Sequence, residues 1–210
     1  MKRLAIIGAG HLGQQIAYHA IADKQYNVVG FFDDTHDKGS IINGIMVLGN
    51  IKEAKDSYEA GVFDELLIGI GYKHIQMRKV LFEQFSGKVP FATFIHSSCW
   101  VDASATIKQG VVMYSACVID KHVVIEENVL LNIGCCIAHD TKIGKHSFLS
   151  PRVAIAGFVV IGELNILGIN TTVIDNVSIV GNTQVGAAGV VIKNIVKPGL
   201  YVGNPVRFIR

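Results

Sequence analysis

Between Asn132 and Leu149 the chain reads NIGCCIAHDTKIGKHSFL, which sets Cys135, Cys136, His139, Asp140 and His146 among aliphatic residues. Residues of these types admit three readings. Imidazole and thiolate are ligands for a metal ion such as zinc. An imidazole that titrates near neutral pH can act as a general base, taking a proton from an attacking group. Thiols and histidines also fill apolar interiors with no chemistry at all. A second group of residues opens the chain, where GAGHLG at 8–13 follows an apolar run and satisfies GxGxxG, with Asp33 twenty residues after Gly13. That spacing is the dinucleotide fingerprint, in which a helix N-terminus faces a pyrophosphate and an acid bonds a ribose hydroxyl. An NAD-dependent enzyme is one class it admits; a nucleoside-diphosphate sugar presents a similar diphosphate and ribose.

Two kinds of element must position these residues. Over 1–94, strand-like segments (RLAIIGAG, NVVGFFDD, DELLIGIG, PFATFIH) alternate with helix-like ones (HLGQQIAYHAIAD, IKEAKDSYEAG, YKHIQMRKVLFEQFSG). This predicts a small parallel sheet, enough for one mononucleotide-binding half and not the two that NAD straddles. Over 95–210 the period is six: Ile95, Val101, Ile107, Met113, Ile119, Ile125, Leu131, Ile137, Ile143, Leu149, Ile155, Ile161, Leu167, Val173, Ile179, Val185 and Val191 follow without a break. A helix repeats at 3.6 and a strand at 2, so the pattern predicts a hexapeptide solenoid with one short strand and one inward aliphatic wedge per hexad.

Composition narrows the function classes. The 210 residues are 50% hydrophobic with mean hydropathy +0.40, enough for a real core. Nineteen Lys and Arg against seventeen Asp and Glu leave +2 with no basic run, which argues against a nucleic-acid partner. No apolar run reaches the roughly 18 residues of a membrane span, and the first is too short for a signal peptide, so a cytoplasmic protein without membrane insertion is expected. Four cysteines without a CxxC pair are expected to be free thiols.

The hexad region resembles the left-handed β-helix acyltransferases, in which three hexads make one triangular coil. The resemblance implies an α/β Rossmann-like half domain followed by a left-handed parallel β-helix. Residues eighteen apart then stack. Cys99, Cys117 and Cys135 share a column with Val153, Thr171 and Gly189, which suits packing thiols; His139 shares one with Ala103, Lys121, Gly157 and Asp175, which is not apolar and places it at the surface.

More closely, GAGH at 8–11, FFDD at 31–34, IGIG at 68–71, IH at 95–96, IAHD at 137–140 and the terminal YVGNPVR resemble the bacterial nucleotide-amino-sugar N-acetyltransferases, relatives of the sialic acid O-acetyltransferases. The resemblance implies an acetyl-CoA-dependent enzyme without a metal, acting on a nucleotide-linked deoxyamino sugar for surface glycans. In it His139 is the general base, Asp140 raises its basicity and the Gly157 amide faces the acetyl carbonyl. Ile169 and Ala187 line the pantetheine arm. Gly10 and His11 lie near the diphosphate or sugar, Asp33 and Asp34 near base and ribose, and Gly71 against the nucleotide. It also implies a homotrimer with sites between prisms, consistent with small residues such as Ala116, Ala138 and Ala156 on flat faces. A second histidine common in the family falls at Phe148, whereas this chain has His146. O-acetylation of a sialic acid, an NAD enzyme and a noncatalytic scaffold are the alternatives. A zinc site of His122, His139 and His146, as in the β-helical carbonic anhydrases, is disfavoured because His122 stacks under Asp140 and His146 over Asn128; a His122–Asp140 contact is expected instead.

Overall fold

The computed structural model describes residues 1–210, which divide into two compact units, Met1–Phe94 and Ile95–Arg210. In the first, β1 (Lys2–Ile7), α1 (His11–Ala22), β2 (Tyr26–Phe32), β3 (Ile41–Ile42), β4 (Ile45–Gly49), α2 (Ala54–Glu59), β5 (Glu65–Ile68) and α3 (Ile75–Phe85) follow in order. The sheet runs β3-β4-β2-β1-β5, parallel except for the β3–β4 hairpin. The central strand β1 is apolar on both faces, with Leu4, Ala5, Ile6 and Ile7 fully buried, as a parallel strand covered on both sides must be. Helix α1 buries Gly13, Ile16, Ala17 and Ala20, one stripe at helical spacing. Residues of α2 and α3 join Ala5, Ile7 and Phe32 in a single apolar core. Because β2 flanks β1 on one side and β5 on the other, the order reverses at β1. The crevice beyond its carboxyl end is where open α/β sheets bind ligands.

The second unit is a left-handed parallel β-helix of two-residue strands, each paired in register with the strand eighteen residues on: Val118–Ile119 with Cys136–Ile137, then Ala154–Ile155, Thr172–Val173 and Val190–Val191. Two further faces repeat the pattern, one through Val124, Lys142, Val160 and Ser178, the other through Leu130, Phe148, Ile166 and Gln184. The second residue of each strand is the hexad wedge and points inward: from Met113 to Val191 every one is buried, whereas the outward Val118 and Val160 are 40% and 49% exposed.

Corners between faces require a left-handed residue. Positive φ recurs every six residues from Gly110 through Ala116, His122, Asn128, Gly134, Asp140, His146, Arg152, Phe158 and Leu164 to Ala188. Only Gly110 and Gly134 among these are glycines; asparagine and aspartate, which tolerate this conformation, take several more. Ala116 therefore stands at a corner (φ 61) and not on a flat face as expected. Two residues before each wedge sits a second, generally small inward residue. Where it carries a donor, that donor reaches a backbone carbonyl: Thr141 Oγ1 to Ala156 O at 2.9 Å, Ser147 Oγ to Gly162 O at 3.1 Å, and the Cys99, Cys117 and Cys135 thiols to Tyr114, Asn132 and Ser150 carbonyls at 3.0, 3.2 and 3.3 Å. The thiols are thus structural, and the Cys135 thiol beside Cys117 helps push the latter's pKa up to about 12, far from nucleophilic.

Ile161→Ala removes a fully enclosed wedge and should lower unfolding stability by about 2–5 kcal/mol, while Val160→Ala on the outward side of the same strand should stay within about 0.5 kcal/mol. Denaturant titration of both variants distinguishes the faces, and equal losses would contradict the inward assignment.

Candidate active site

The corner at Asp140 gathers the residues able to do chemistry. Asp140 adopts φ 57, and its N–H closes on the Lys121 carbonyl one coil below at 3.0 Å. The residue before it, His139, is carried outward, with its Nδ1 3.0 Å from Asp140 Oδ2. Donation of the Nδ1 proton to that carboxylate leaves Nε2 as the unprotonated nitrogen, and the chain offers Nε2 no partner. Both side chains remain about one-third exposed, at 39% and 34%, so the pair contributes little to stability as a surface ion pair. One coil above lies Gly157. A Cβ built there would stand 2.6 Å from His139 Cε1, 2.9 Å from Nε2 and 3.1 Å from Nδ1, so the imidazole fills the space that any other residue's side chain would need. The Gly157 N–H bonds to no group of the chain. Phe158, at the corner after it, sets its ring 5.1 Å from the imidazole at 84°.

Ile169 and Ala187 are both exposed and stack at one corner, with Ala188 N–H bonded to Ile169 O at 2.7 Å. This is a different corner: residue 169 lies one coil and two faces beyond 139, so a single chain does not bring this column to His139.

The expected His122–Asp140 contact is not formed. His122 is itself a left-handed corner residue (φ 58) with its side chain exposed, and Asp140 turns its carboxylate to its neighbour His139 instead. His146 is 2% exposed, with Nδ1 3.0 Å from Asn128 Nδ2, a packed polar pair inside the next corner. Phe148 is buried in its strand. No three His, Cys, Asp or Glu side chains converge as metal ligands.

In the α/β unit, Gly10 precedes the first turn of α1 as its N-cap, and a Cβ there would meet nothing within 4 Å. Gly10 and the exposed His11 therefore stand open at a helix N-terminus, where amides favour an anion. Gly13 answers a steric demand instead, since a Cβ on it would lie 1.9 Å from Gly8 O, and its bare backbone allows helix and strand to touch. Gly71, at the end of the β5 loop, is also open. Asp33 turns inward at the end of β2. It is 8% exposed, with Oδ2 accepting the Ala9 N–H at 2.7 Å and Oδ1 accepting from the Thr35 N–H, the Thr35 hydroxyl and His36 Nδ1. Its carboxylate ties the glycine loop to the end of β2. Burial works against its charge, yet the bonds from Thr35, Ala9 and His36 prevail and hold the carboxyl well below the usual range. Asp34 is the exposed acid: Oδ1 accepts the Ile51 N–H at 2.9 Å at the rim of a cavity of about 420 Å³ lined by Asp34, Asn50, Ile51, Lys52, Leu81 and Gln84.

One residue beside the Gly71 loop escaped the sequence reading. Arg78 is fully buried, and its Nη1 donates to the carbonyls of Ile68 at 2.6 Å and Ile70 at 3.3 Å, bracing the loop that ends at Gly71. Its spacing from Leu81, Phe82 and Phe85 puts an arginine on the apolar stripe of α3, a signal present in the sequence.

Residues 3–85 match the family described as the PglD N-terminal domain. No curated protein matches the chain. Among solved structures, the acetyltransferase domain of PglB from Neisseria gonorrhoeae is 25% identical over 100% of both chains with a TM-score of 0.91, and the same domain is known in complex with acetyl coenzyme A. PerB from Caulobacter crescentus, in complex with CoA and GDP-perosamine, is 25% identical over 100% of this chain and 98% of its own, with a TM-score of 0.90. WeeI from Acinetobacter baumannii, at 18% identity and a TM-score of 0.76 over 100% of both chains, shares the fold.

The lowered Asp33 pKa has a consequence for stability. A carboxyl whose folded pKa lies below its unfolded value of about 3.9 stabilises the fold above that value and loses the contribution as pH falls from there through the folded pKa. Thermal midpoints should therefore drop on acidification from about pH 5 to about pH 2, and Asp33→Asn should flatten that drop while lowering the midpoint at neutral pH. Parallel acid slopes for the two proteins would show that Asp33 contributes nothing.

Proposed function

We propose that this chain, a hexapeptide-repeat acetyltransferase by its fold and its full-length likeness to enzymes of that kind, moves the acetyl group of acetyl-CoA onto the amine of a nucleotide-linked amino sugar. The observation that carries the proposal is the corner at 139–140: an exposed imidazole with one nitrogen bonded to a carboxylate and the other free, seated over a glycine. As the sugar amine forms its bond to the thioester carbonyl carbon, His139 Nε2 takes the amine proton. Asp140 balances the positive charge that then appears on the ring. The carbonyl oxygen gathers negative charge in the same step, and the free Gly157 N–H is the donor available to it. The C–S bond breaks, the proton held on His139 Nε2 passes to the departing sulfur, CoA leaves as its thiol, and the amide is the product with the imidazole neutral again.

The exposed aliphatic column of Ile133, Ile169 and Ala187 suits a pantetheine arm. Because that column and His139 occupy different corners, one complete site needs two prisms, and a homotrimer supplies three such junctions. The α/β unit holds the nucleotide: the diphosphate at the open N-terminus of α1 beside Gly10, His11 and Gly71, and the base or ribose at Asp34. Asp33 supports this site by fixing the glycine loop.

His139→Ala should leave the circular dichroism spectrum unchanged and lower turnover by roughly 10²- to 10⁴-fold; near-normal turnover would end the assignment. Asp34→Asn keeps an acceptor for the Ile51 N–H but loses the charge. Loss of a charge-assisted hydrogen bond of about 1.5–3 kcal/mol should raise KM for the nucleotide sugar roughly tenfold to a hundredfold with kcat little changed. Equal acetylation of a free sugar and its nucleotide-linked form by wild-type enzyme would instead favour O-acetylation of a sialic acid.

A further inference from the structure

Phe158 occupies a place that its chemistry disfavours. Its φ of 56 lies in the left-handed region, which disfavours bulky residues, although Arg152 and Leu164 adopt it at other corners. The corners one coil below and above, Asp140 and Asn176, carry types that accept this conformation readily. Nor does burial explain the phenyl ring, which is 55% exposed. Its aromatic contact is with the His139 imidazole, edge to face, with centroids 5.1 Å apart and planes at 84°, a geometry that aromatic pairs favour. The backbone is tied to the same residue, since the Phe158 N–H donates to the His139 carbonyl at 3.1 Å. An unfavourable conformation kept beside a reactive group is the kind of outlier from which a functional role is argued.

The imidazole needs such a contact. Rotation about the His Cβ–Cγ bond is broad, so the one bond from Nδ1 to Asp140 leaves the plane of the ring loosely defined. Gly157 leaves room for the ring and exerts no grip. We infer that Phe158 is a positioning residue for His139, its ring fixing the plane of the imidazole so that the bond from Nδ1 to Asp140 is kept and Nε2 stays free for the acceptor. The inference rests on the reading of His139 as the base, and its test includes a readout that does not depend on activity.

Phe158→Asn suits the corner, as Asn170, Asn176 and Asn182 already do. Its thermal midpoint should equal or exceed that of the wild type. Its kcat should fall by about threefold to tenfold, with KM for both substrates within about twofold, because orientation and not binding is lost. Nitrogen-15 spectra of the His139 ring should show the single Nδ1–H tautomer in the wild type and a mixture in the variant. Phe158→Tyr should restore both kcat and the single tautomer. Phe158→Gly, also compatible with the corner, should repeat the Asn result. Wild-type kcat and an unaltered ring spectrum in the Asn and Gly variants would overturn the inference, as would a large fall in thermal midpoint with the tautomer unchanged. A fully active His139→Ala variant would overturn the base assignment separately, leaving the spectra to report on the Phe158 contact.

Discussion

Registration of every strand with the strand eighteen residues away is the constraint on which the rest depends. Pairs such as Ile119↔Ile137, Ile137↔Ile155 and Ile155↔Val173 place side chains of successive coils in columns about 4.8 Å apart. Each column is then a set of residues obliged to share one environment. An aliphatic column becomes core; a column of Lys121, His139, Gly157 and Asp175 lies outside it. The close meeting of His139 and Gly157 follows from that arithmetic and from the absence of a side chain on the upper residue.

The same arithmetic explains why so much is legible in the sequence. Unbroken aliphatic residues at period six define the prism because no other regular structure repeats that way, and GAGHLG beside FFDD marks the strand–loop–helix unit because the glycines answer steric demands that Gly13 meets at 1.9 Å. The cysteine column is legible from its small neighbours. What is not legible is direction. Asp33 and Asp34 are identical in type and adjacent, yet one turns in to bind the Ala9 N–H and the other stays exposed, a difference set by the end of β2 and the following turn through Thr35. His122 stacks under Asp140 by count, but Asp140 turns its carboxylate to His139 and the His122 side chain stays exposed, so this adjacency does not become a bond, whereas that of Asn128 and His146 does.

Arg78 and Phe158 teach a related lesson. Each is a residue whose type conflicts with its position, an arginine on a buried stripe and an aromatic at a corner suited to asparagine, and each touches a loop or ring at the candidate sites. Conflicts between local preference and place gather where a protein does more than fold. Such positions can be marked from sequence once the periodicity is known, although the group that each one contacts emerges only in three dimensions.

Stacked coils exchange energy only with the coil above and the coil below, so the prism behaves as a one-dimensional array whose disorder enters from its ends. The coils bearing His139 and Gly157 have paired strands on both sides, from Trp100 beneath to Val190 above on the same face. Fraying of a terminal coil therefore has to consume intervening coils before it reaches the imidazole. Amide hydrogens in the middle of the stack should be the slowest to exchange, and the geometry of the His139–Asp140 pair is insulated from the mobility of the termini by the length of the array itself.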